Sequence, residues 1–342
     1  MPQLVIEPKS HTPLLNGSLK NLFFPPEQGE YQYFKRAPNC PFGDGENIVK
    51  AAWAADVAML SYARYGSRRM DDTELESNLA SGGLTLQAKI GEDPRDWNAP
   101  GTQAFFATGG DFAILAFRGT EVDDPADAHA DLDILLSHEP DYSGSVLSRL
   151  GHLAIIEHLF SMPCLVHRGF QLALNRVWDQ VQQQLTDYRR KEPEAEICLT
   201  GHSLGGALAL LTYSRLSDRN VAAYTFGCPR VGNTAFRARV AANTGKGHFR
   251  FVNFNDLVTH VPLESALYLH APQGCYRFDN TGRLDCENDG ALAADVADLR
   301  QTIAGLPADL RGNLQNLDQL PAPPGAVDHS PARYCMRLWD CV

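Results

Sequence analysis

The chain has 342 residues, of which 44% are hydrophobic and 21% are charged, and its formal net charge is −11. This balance is typical of a globular protein with a large buried core. The acidic excess argues against nucleic acid as a partner and against simple electrostatic adhesion to anionic lipid, but it permits contact with a lipid surface through an apolar patch.

The amino terminus lacks a basic segment followed by an apolar one, so no signal peptide is predicted. No apolar run is long enough to span a bilayer. We therefore expect a protein without a transmembrane segment, which either stays in the cytoplasm or is exported by a signal-independent secretion system. The sequence does not identify a protein partner.

The first third of the chain begins with an arm and continues into regular structure. Residues 1–45 are rich in Pro, Gly and Asn, and their aromatic side chains predict an arm packed on the domain. Apolar residues at helical spacing predict a helix over 48–64. Two β-rich runs, 103–108 and 111–117, are separated by Gly109-Gly110 and predict a hairpin.

The second half alternates between helical and strand patterns. The predicted elements are a helix over 170–190, a strand–turn–helix unit over 197–211, a strand over 221–226, a helix over 234–242, a strand over 248–254 and a hairpin over 277–284. This alternation predicts an α/β fold with a mostly parallel sheet covered by helices on both faces, in a single domain spanning residues 1–342.

Two inserts interrupt this pattern. Residues 121–165 begin with an acidic stretch and continue into an apolar helical stretch over 146–160, and residues 289–320 have a second helical pattern. A lid and a helix that packs on the core explain the first insert equally well. We expect a lid-like insert over 121–165 and a cap-like helical insert over 289–320.

The sequence predicts no metal site and no cofactor. Its eight cysteines include no C-x-x-C pair, and no His cluster suggests zinc. The aspartates between positions 123 and 133 lack EF-hand spacing, so a solvated acidic loop is favoured over calcium binding. In an oxidising compartment, local disulfides would pair Cys275 with Cys286 and Cys335 with Cys341.

The segment Gly201-His202-Ser203-Leu204-Gly205 lies between a predicted strand and a predicted helix. This context favours a nucleophile elbow, in which Ser203 stands on a sharp turn, over an ordinary glycine-rich turn. Gly201 and Gly205 remove side chains that would collide there. The helix amino terminus directs free amides at the reaction centre. We expect His202 to pack beneath the elbow rather than to act as a base.

A serine nucleophile needs a base and an acid that orients the base. In α/β hydrolases the order along the chain is Ser, Asp or Glu, then His, which leaves His260, His270 and His329 as candidates. Asp256 follows an apolar strand and is the expected acid. His260 is too close to Asp256 in sequence to reach Ser203, and His270 lies in a predicted strand. His329 follows a Pro-rich break and is the expected base.

An oxyanion hole needs two backbone donors in such a fold. The residue after the nucleophile, Leu204, supplies the first. Thr120 follows the predicted strand that ends at Phe117 and is expected to supply the second, and its hydroxyl would add a further donor.

Six motifs then occur in order along the chain. They are Phe117-Arg-Gly-Thr120, Val166-His-Arg-Gly-Phe170, Thr200-Gly-His-Ser-Leu-Gly-Gly-Ala207, Thr225-Phe-Gly-Cys-Pro-Arg-Val-Gly-Asn233, Asn255-Asp-Leu-Val-Thr-His-Val-Pro262 and Asp328-His329. Over residues 103–335 the chain resembles the class 3 lipase family, which comprises fungal-type triacylglycerol lipases and their bacterial relatives.

The resemblance implies an α/β-hydrolase core. It also implies Ser203 as nucleophile, Asp256 as acid, His329 as base, Thr120 in the oxyanion hole and a mobile lid after Thr120 that uncovers an acyl groove. The chain departs from the family pattern at one place. The family often has Trp near an Asp just after the oxyanion strand, whereas this chain reads Ala128-His-Ala-Asp-Leu-Asp133 there. Secreted members carry signal peptides, whereas some bacterial relatives are delivered by contact-dependent secretion machines.

The expected function is serine-dependent hydrolysis of carboxyl esters of long-chain acyl lipids through an acyl-enzyme on Ser203. Triacylglycerol lipase and phospholipase A both remain open, and either would require transient contact with a lipid surface. The alternative is a catalytically inactive hydrolase-fold protein that binds lipid or another partner, and the complete set of catalytic residues argues against it.

Overall fold

The computed structural model describes residues 5–10, 31–34, 47–65, 68–93, 101–119, 164–216, 218–262, 268–271, 274–287 and 327–342. Thr120, the cap-like insert 289–320, almost all of the lid-like insert 121–165 and most of the arm 1–45 lie outside these residues. The expectations for those segments therefore stay predictions.

The described residues form six α-helices and eleven strands. The helices are α1 Asn47–Leu60, α2 Asp72–Ser81, α3 Arg168–Lys191, α4 Leu204–Arg215, α5 Thr234–Ala241 and α6 Pro331–Cys341, with a 3-10 helix over Leu257–His260. The strands are β1 Val5–Ile6, β2 Arg64–Tyr65, β3 Arg68–Arg69, β4 Thr85–Gly91, β5 Gln103–Thr108, β6 Phe112–Phe117, β7 Glu196–His202, β8 Val221–Phe226, β9 Gly247–Asn253, β10 Cys275–Phe278 and β11 Leu284–Glu287.

Nine of these strands form one sheet in the order β1-β11-β10-β9-β8-β7-β6-β5-β4, and β2 and β3 form a separate short ladder. Strands β6 to β10 are parallel to one another, whereas the strands at both ends of the sheet are antiparallel to their neighbours. The mostly parallel sheet predicted from the sequence is therefore confirmed. Because the parallel strands end at one edge, the residues that follow them are brought together.

Helices bury the sheet on both faces, as continuous apolar strands require. On one face, α1 and α6 pack in a core with Tyr33 and Phe34 of the amino-terminal segment. On the other face, α3, α4 and α5 share a second core. Small residues bring α4 close to the sheet, since a Cβ added to Gly206 would lie 3.1 Å from the Cβ of Cys228.

Several elements have no counterpart in the sequence predictions, among them two helices that begin with visible signals. Helix α2 starts with a capping box between Asp71 and Glu74. Helix α6 starts with Ser330 as its N-cap and Pro331 in its first turn. Strand β4 pairs with β5 and extends the sheet beyond the predicted hairpin.

The structure contradicts both predicted disulfides, and the seven described cysteines are free. Cys275 lies opposite Glu287, whereas Cys286 lies opposite Tyr276, so the two cysteines point to opposite faces of the sheet. Cys335 and Cys341 lie six residues apart on α6. Their Cα atoms are separated by about 9 Å along the helix axis, beyond the roughly 7 Å that a disulfide spans.

The described residues contain neither a membrane-spanning helix nor a group of metal-ligating side chains. Among the helices of this part of the chain, none combines the length and the apolar character that crossing a membrane requires. Within the same residues, no three or more His, Cys, Asp or Glu side chains are grouped so that they could hold a metal ion.

Candidate active site

Three neighbouring strands place residues of the candidate site at the carboxyl edge of the sheet. Ser203 follows β7, Gly227 follows β8, and Asp256 follows β9 after a short turn. His329 comes from a different part of the chain, the turn that immediately precedes α6.

The turn at Ser203 has the strained backbone of a nucleophile elbow. Ser203 has φ 59° and ψ −128°, a conformation that a residue with a side chain rarely adopts. Its N–H donates to the carbonyl of Phe226 at 2.9 Å. A Cβ on Gly201 would lie 2.2 Å from the carbonyl carbon of Gly205, and a Cβ on Gly205 would lie 2.2 Å from the carbonyl oxygen of Phe117. Both glycines are therefore sterically required.

Asp256 and His329 form a buried pair. The Nδ1 atom of His329 lies 2.9 Å from Oδ1 and 2.9 Å from Oδ2 of Asp256. The Asp256 side chain is fully buried and that of His329 is 8% exposed. A carboxylate oxygen can only accept, so Nδ1 carries the hydrogen and Nε2 of the neutral ring is left as an acceptor. This is the tautomer that a general base needs.

Further donors fix the carboxylate of Asp256. The N–H of Val258 donates to Oδ1 at 2.9 Å, and the hydroxyl of Tyr334 donates to Oδ2 at 2.6 Å. The Tyr334 oxygen also accepts from the N–H of Asn253 at 2.9 Å. Burial and the charge of Asp256 raise the pKa of Tyr334 well above its ordinary value, so the phenol stays a donor. Nothing in the sequence pattern pointed to Tyr334, because α6 itself was not predicted.

The turn that carries His329 is held through Asp328, the residue before it. The side-chain N–H of Asn253 donates to the carbonyl of Asp328 at 2.9 Å. The guanidinium of Arg333 lies 3.2 Å from the Asp328 carboxylate. The main chain on the amino-terminal side of His329 is thus tied to β9 and to the first turn of α6.

The two other candidate histidines have different surroundings. His270 is buried, and its Nε2–H donates to the carbonyl of Thr259 at 2.7 Å, while the hydroxyl of Thr259 donates to the carbonyl of Asp256 at 2.8 Å. Burial, then the charges of two buried arginines, lower the pKa of His270 well below its ordinary value. The carbonyl of His260 accepts from the guanidinium of Arg230. His270 therefore supports the turn after Asp256, and it lies beyond an isolated bridge at Leu269 rather than in the predicted strand.

The predicted oxyanion donors are only partly described. Leu204 is the first residue of α4, where helical N–H groups have no partner within the helix and form the positive end of its dipole. Thr120 lies outside the described residues, and Gly119 is the last described residue before it. A Cβ on Gly119 would lie 2.6 Å from the carbonyl oxygen of His202, so the turn that leads to Thr120 packs against the elbow.

Comparisons with known proteins agree with this architecture. The family model described as "Lipase (class 3)" matches residues 114–266. The lipase of Rhizomucor miehei is 38% identical over 123 residues, 34% of each chain. The secreted mono- and diacylglycerol lipase A of Penicillium cyclopium is 30% identical over 148 residues, 42% of this chain and 48% of that one. The sequence matches therefore span between a third and about half of the length of these two relatives.

The fold can also be compared with a solved structure. The Rhizomucor miehei triacylglyceride lipase superposes with a TM-score of 0.52 at 25% identity, over 72% of this chain and 87% of that chain. The α/β-hydrolase fold expected from the sequence is confirmed. Residues 114–266 match the family model of class 3 lipases, and the fold around them is that of the α/β hydrolases.

Proposed function

We propose that the protein is a serine hydrolase that cleaves carboxyl esters of long-chain acyl lipids through an acyl-enzyme on Ser203. The proposal rests on one observation, namely that a strained serine after β7 and a buried Asp–His pair, whose aspartate follows β9, lie at the same edge of the sheet. A Cβ on Gly227, the residue after Phe226, would lie 2.8 Å from Oδ2 of Asp256 and 2.9 Å from Nδ1 of His329. The pair thus packs directly on the strand end to which Ser203 is hydrogen-bonded.

The mechanism follows from the tautomer of His329. Its Nε2 accepts the hydroxyl proton of Ser203 as Oγ attacks the ester carbonyl, and Asp256 stabilises the imidazolium that forms. The oxyanion accepts hydrogen bonds from the N–H of Leu204 and, as predicted, from Thr120. The imidazolium then protonates the leaving alkoxide. A water molecule, deprotonated by the same Nε2, hydrolyses the acyl-enzyme and restores Ser203. No step requires a cofactor.

The substrate class is proposed from the relatives. Two of them are named for acylglycerols, a mono- and diacylglycerol lipase and a triacylglyceride lipase. Acylglycerols are therefore the first substrates to test, with phospholipids as the second. We further propose that the inserts 121–165 and 289–320 cover the acyl groove within the single domain, and that lipid contact uncovers it.

The decisive experiment compares wild type with Ser203→Ala on a short soluble ester, an emulsified triacylglycerol and phospholipid vesicles. We expect turnover to fall by about 10⁶-fold, and labelling by a fluorophosphonate to be lost. Ser214→Ala is the matched control, because the hydroxyl of this buried serine of the same helix donates to the carbonyl of Leu211, one turn away. Turnover of Ser203→Ala within tenfold of wild type would disprove the nucleophile. If the wild-type protein binds vesicles but is not labelled by the fluorophosphonate, the alternative of a lipid-binding protein is supported instead.

A further inference from the structure

His202, the neighbour of Ser203, joins two distant segments through its ring. The side chain is buried, with Nδ1 2.8 Å from the hydroxyl of Tyr62 and Nε2 2.6 Å from the carbonyl oxygen of His329. A carbonyl can only accept, so Nε2 carries the hydrogen. In a neutral ring Nδ1 is then an acceptor, and the hydroxyl of Tyr62 donates to it. Tyr62, which lies just beyond α1, thus selects the tautomer of His202.

The rings of His202 and His329 are close neighbours with different partners. Their centroids lie 4.4 Å apart at an interplanar angle of 38°. His329 faces the carboxylate of Asp256, whereas the titratable groups that the structure places against His202 are Tyr62, His329 and Tyr334. Burial first, and the adjacent His329 second, lower the pKa of His202 well below its ordinary value. The catalytic proton therefore goes to His329.

The turn at Gly119 packs closely against Tyr62 and His202. A Cβ on Gly119 would lie 2.1 Å from the hydroxyl oxygen of Tyr62 and 2.6 Å from the carbonyl oxygen of His202. The hydroxyl of Tyr62 therefore lies between the turn that leads to Thr120 and the ring that holds His329. A continuous series of contacts therefore runs from the turn before Thr120 through Tyr62 and His202 to His329.

Building on the serine-hydrolase function proposed above, we propose that His202 is a positioning residue of the reaction. Its neutral Nε2–H holds the main chain of His329, so that the imidazole of His329 stays aligned with both Asp256 and Ser203. The hydroxyl of Tyr62 keeps His202 in the one tautomer that can do this. His202 exchanges no proton with substrate.

The test compares His202→Phe, His202→Gln and Tyr62→Phe on a soluble ester, with active sites counted by fluorophosphonate. Phe keeps the ring but removes both hydrogen bonds, and a catalytic group misplaced by about 1 Å costs about 10²-fold. We expect His202→Phe to lower kcat about 30- to 100-fold per active site, with KM within threefold of wild type. Gln places an N–H near the same carbonyl and should recover at least fivefold of this loss. Tyr62→Phe should lower kcat about threefold to tenfold.

The pH profile distinguishes positioning from a general loss of folding. A looser contact weakens the stabilisation of the imidazolium by the Asp256 carboxylate. The acid limb of kcat/KM should therefore move to lower pH in His202→Phe. The matched control is His248→Phe, because this buried histidine lies near the start of β9, away from the carboxyl end of that strand, and its ring is bonded to the hydroxyl of Thr225 rather than to the catalytic pair. Its kcat per active site and its acid limb should stay at the wild-type values.

Ring ¹⁵N spectra of the wild type give a readout that does not depend on activity. Between pH 5 and 8 we expect His202 to stay neutral with hydrogen on Nε2. A protonated His202 at pH 6, or folded His202→Phe with wild-type kcat and an unshifted acid limb, would overturn the proposal. If His202→Phe does not fold, equal kcat in His202→Gln, Tyr62→Phe and wild type would overturn it as well. If wild type shows no turnover that depends on Ser203, the proposed function fails instead, and the spectra still decide the tautomer.

Discussion

Two of the carboxylates that the structure describes are completely buried, and they have different partners. Asp256 and Asp56 are each 0% exposed. Asp256 faces the imidazole of His329, a group that can become a cation. Asp56 accepts hydrogen bonds from neutral donors, namely the hydroxyl of Tyr31, the N–H of Phe34 at 2.8 Å and the indole N–H of Trp339 at 3.0 Å. Only the first arrangement can stabilise a transferred proton.

The second carboxylate joins segments that are distant in the sequence. Asp56 lies on α1, Tyr31 and Phe34 lie in the amino-terminal segment, and Trp339 lies on α6. Burial raises the pKa of Asp56 from an ordinary value of 3.8 to about 6, against the effect of its hydrogen bonds. Helix α6 contacts both carboxylates, with Tyr334 at Asp256 and Trp339 at Asp56. Similar hydrogen bonds thus join distant segments at one site and orient a carboxylate toward His329 at the other.

The largest difference between the two carboxylates should appear when each is changed to its amide. In Asp256→Asn the amide N–H₂ favours the wrong tautomer of His329, and we expect kcat to fall about 10⁴-fold with the fold retained. Asp56→Asn makes the same chemical change and should leave kcat within threefold of wild type. Steady-state kinetics on a soluble ester, with circular dichroism as a folding check, measure both. Similar losses in the two variants would refute the division of roles.

A smaller effect should follow from removing one hydroxyl at each carboxylate. Tyr334→Phe deletes the 2.6 Å hydrogen bond to Asp256 and leaves the ring in place. A hydrogen bond to a charged group contributes about 1.5 kcal/mol, so kcat/KM should fall about tenfold. Tyr31→Phe deletes the corresponding hydroxyl at Asp56 and should not change kcat/KM. Wild-type kcat/KM in Tyr334→Phe would show that the other donors suffice to orient Asp256.

Local patterns made much of the site predictable. The nucleophile elbow is encoded within a dozen residues, since Gly201 and Gly205 have no alternative at their positions in the turn. The pairing of Asp256 with His329 spans 73 residues, yet the order of residues in the fold and the preceding strand were enough to place it. Their catalytic roles remain proposals for the experiments above. The parallel sheet was predictable because each buried strand is a short continuous apolar run.

Features created by packing between distant segments were not predictable. Asp56 and its partners lie on three segments that are brought together only when the helices on that face of the sheet pack. The contacts of His202 with Tyr62 and His329 likewise have no sequence signature, although the burial of His202 was expected. The predicted disulfides failed for a related reason, since spacing along the chain does not tell which face of β10 or β11 a cysteine occupies.

The smallest effect concerns stability rather than turnover, and it distinguishes the two carboxylates by their titration. The pKa of Asp56 is raised in the folded protein, so its contribution to stability is complete below about pH 4 and is lost as pH rises through about 6. A shift of about two units corresponds to at most about 3 kcal/mol. Asn cannot titrate. The free energy of unfolding of Asp56→Asn should therefore rise relative to that of wild type by about 1–3 kcal/mol between pH 4 and pH 7. Urea unfolding of both proteins at four pH values measures this difference, in which all other titrating groups cancel. A difference that stays constant across the range would mean that Asp56 ionises as easily in the folded chain as in the unfolded one.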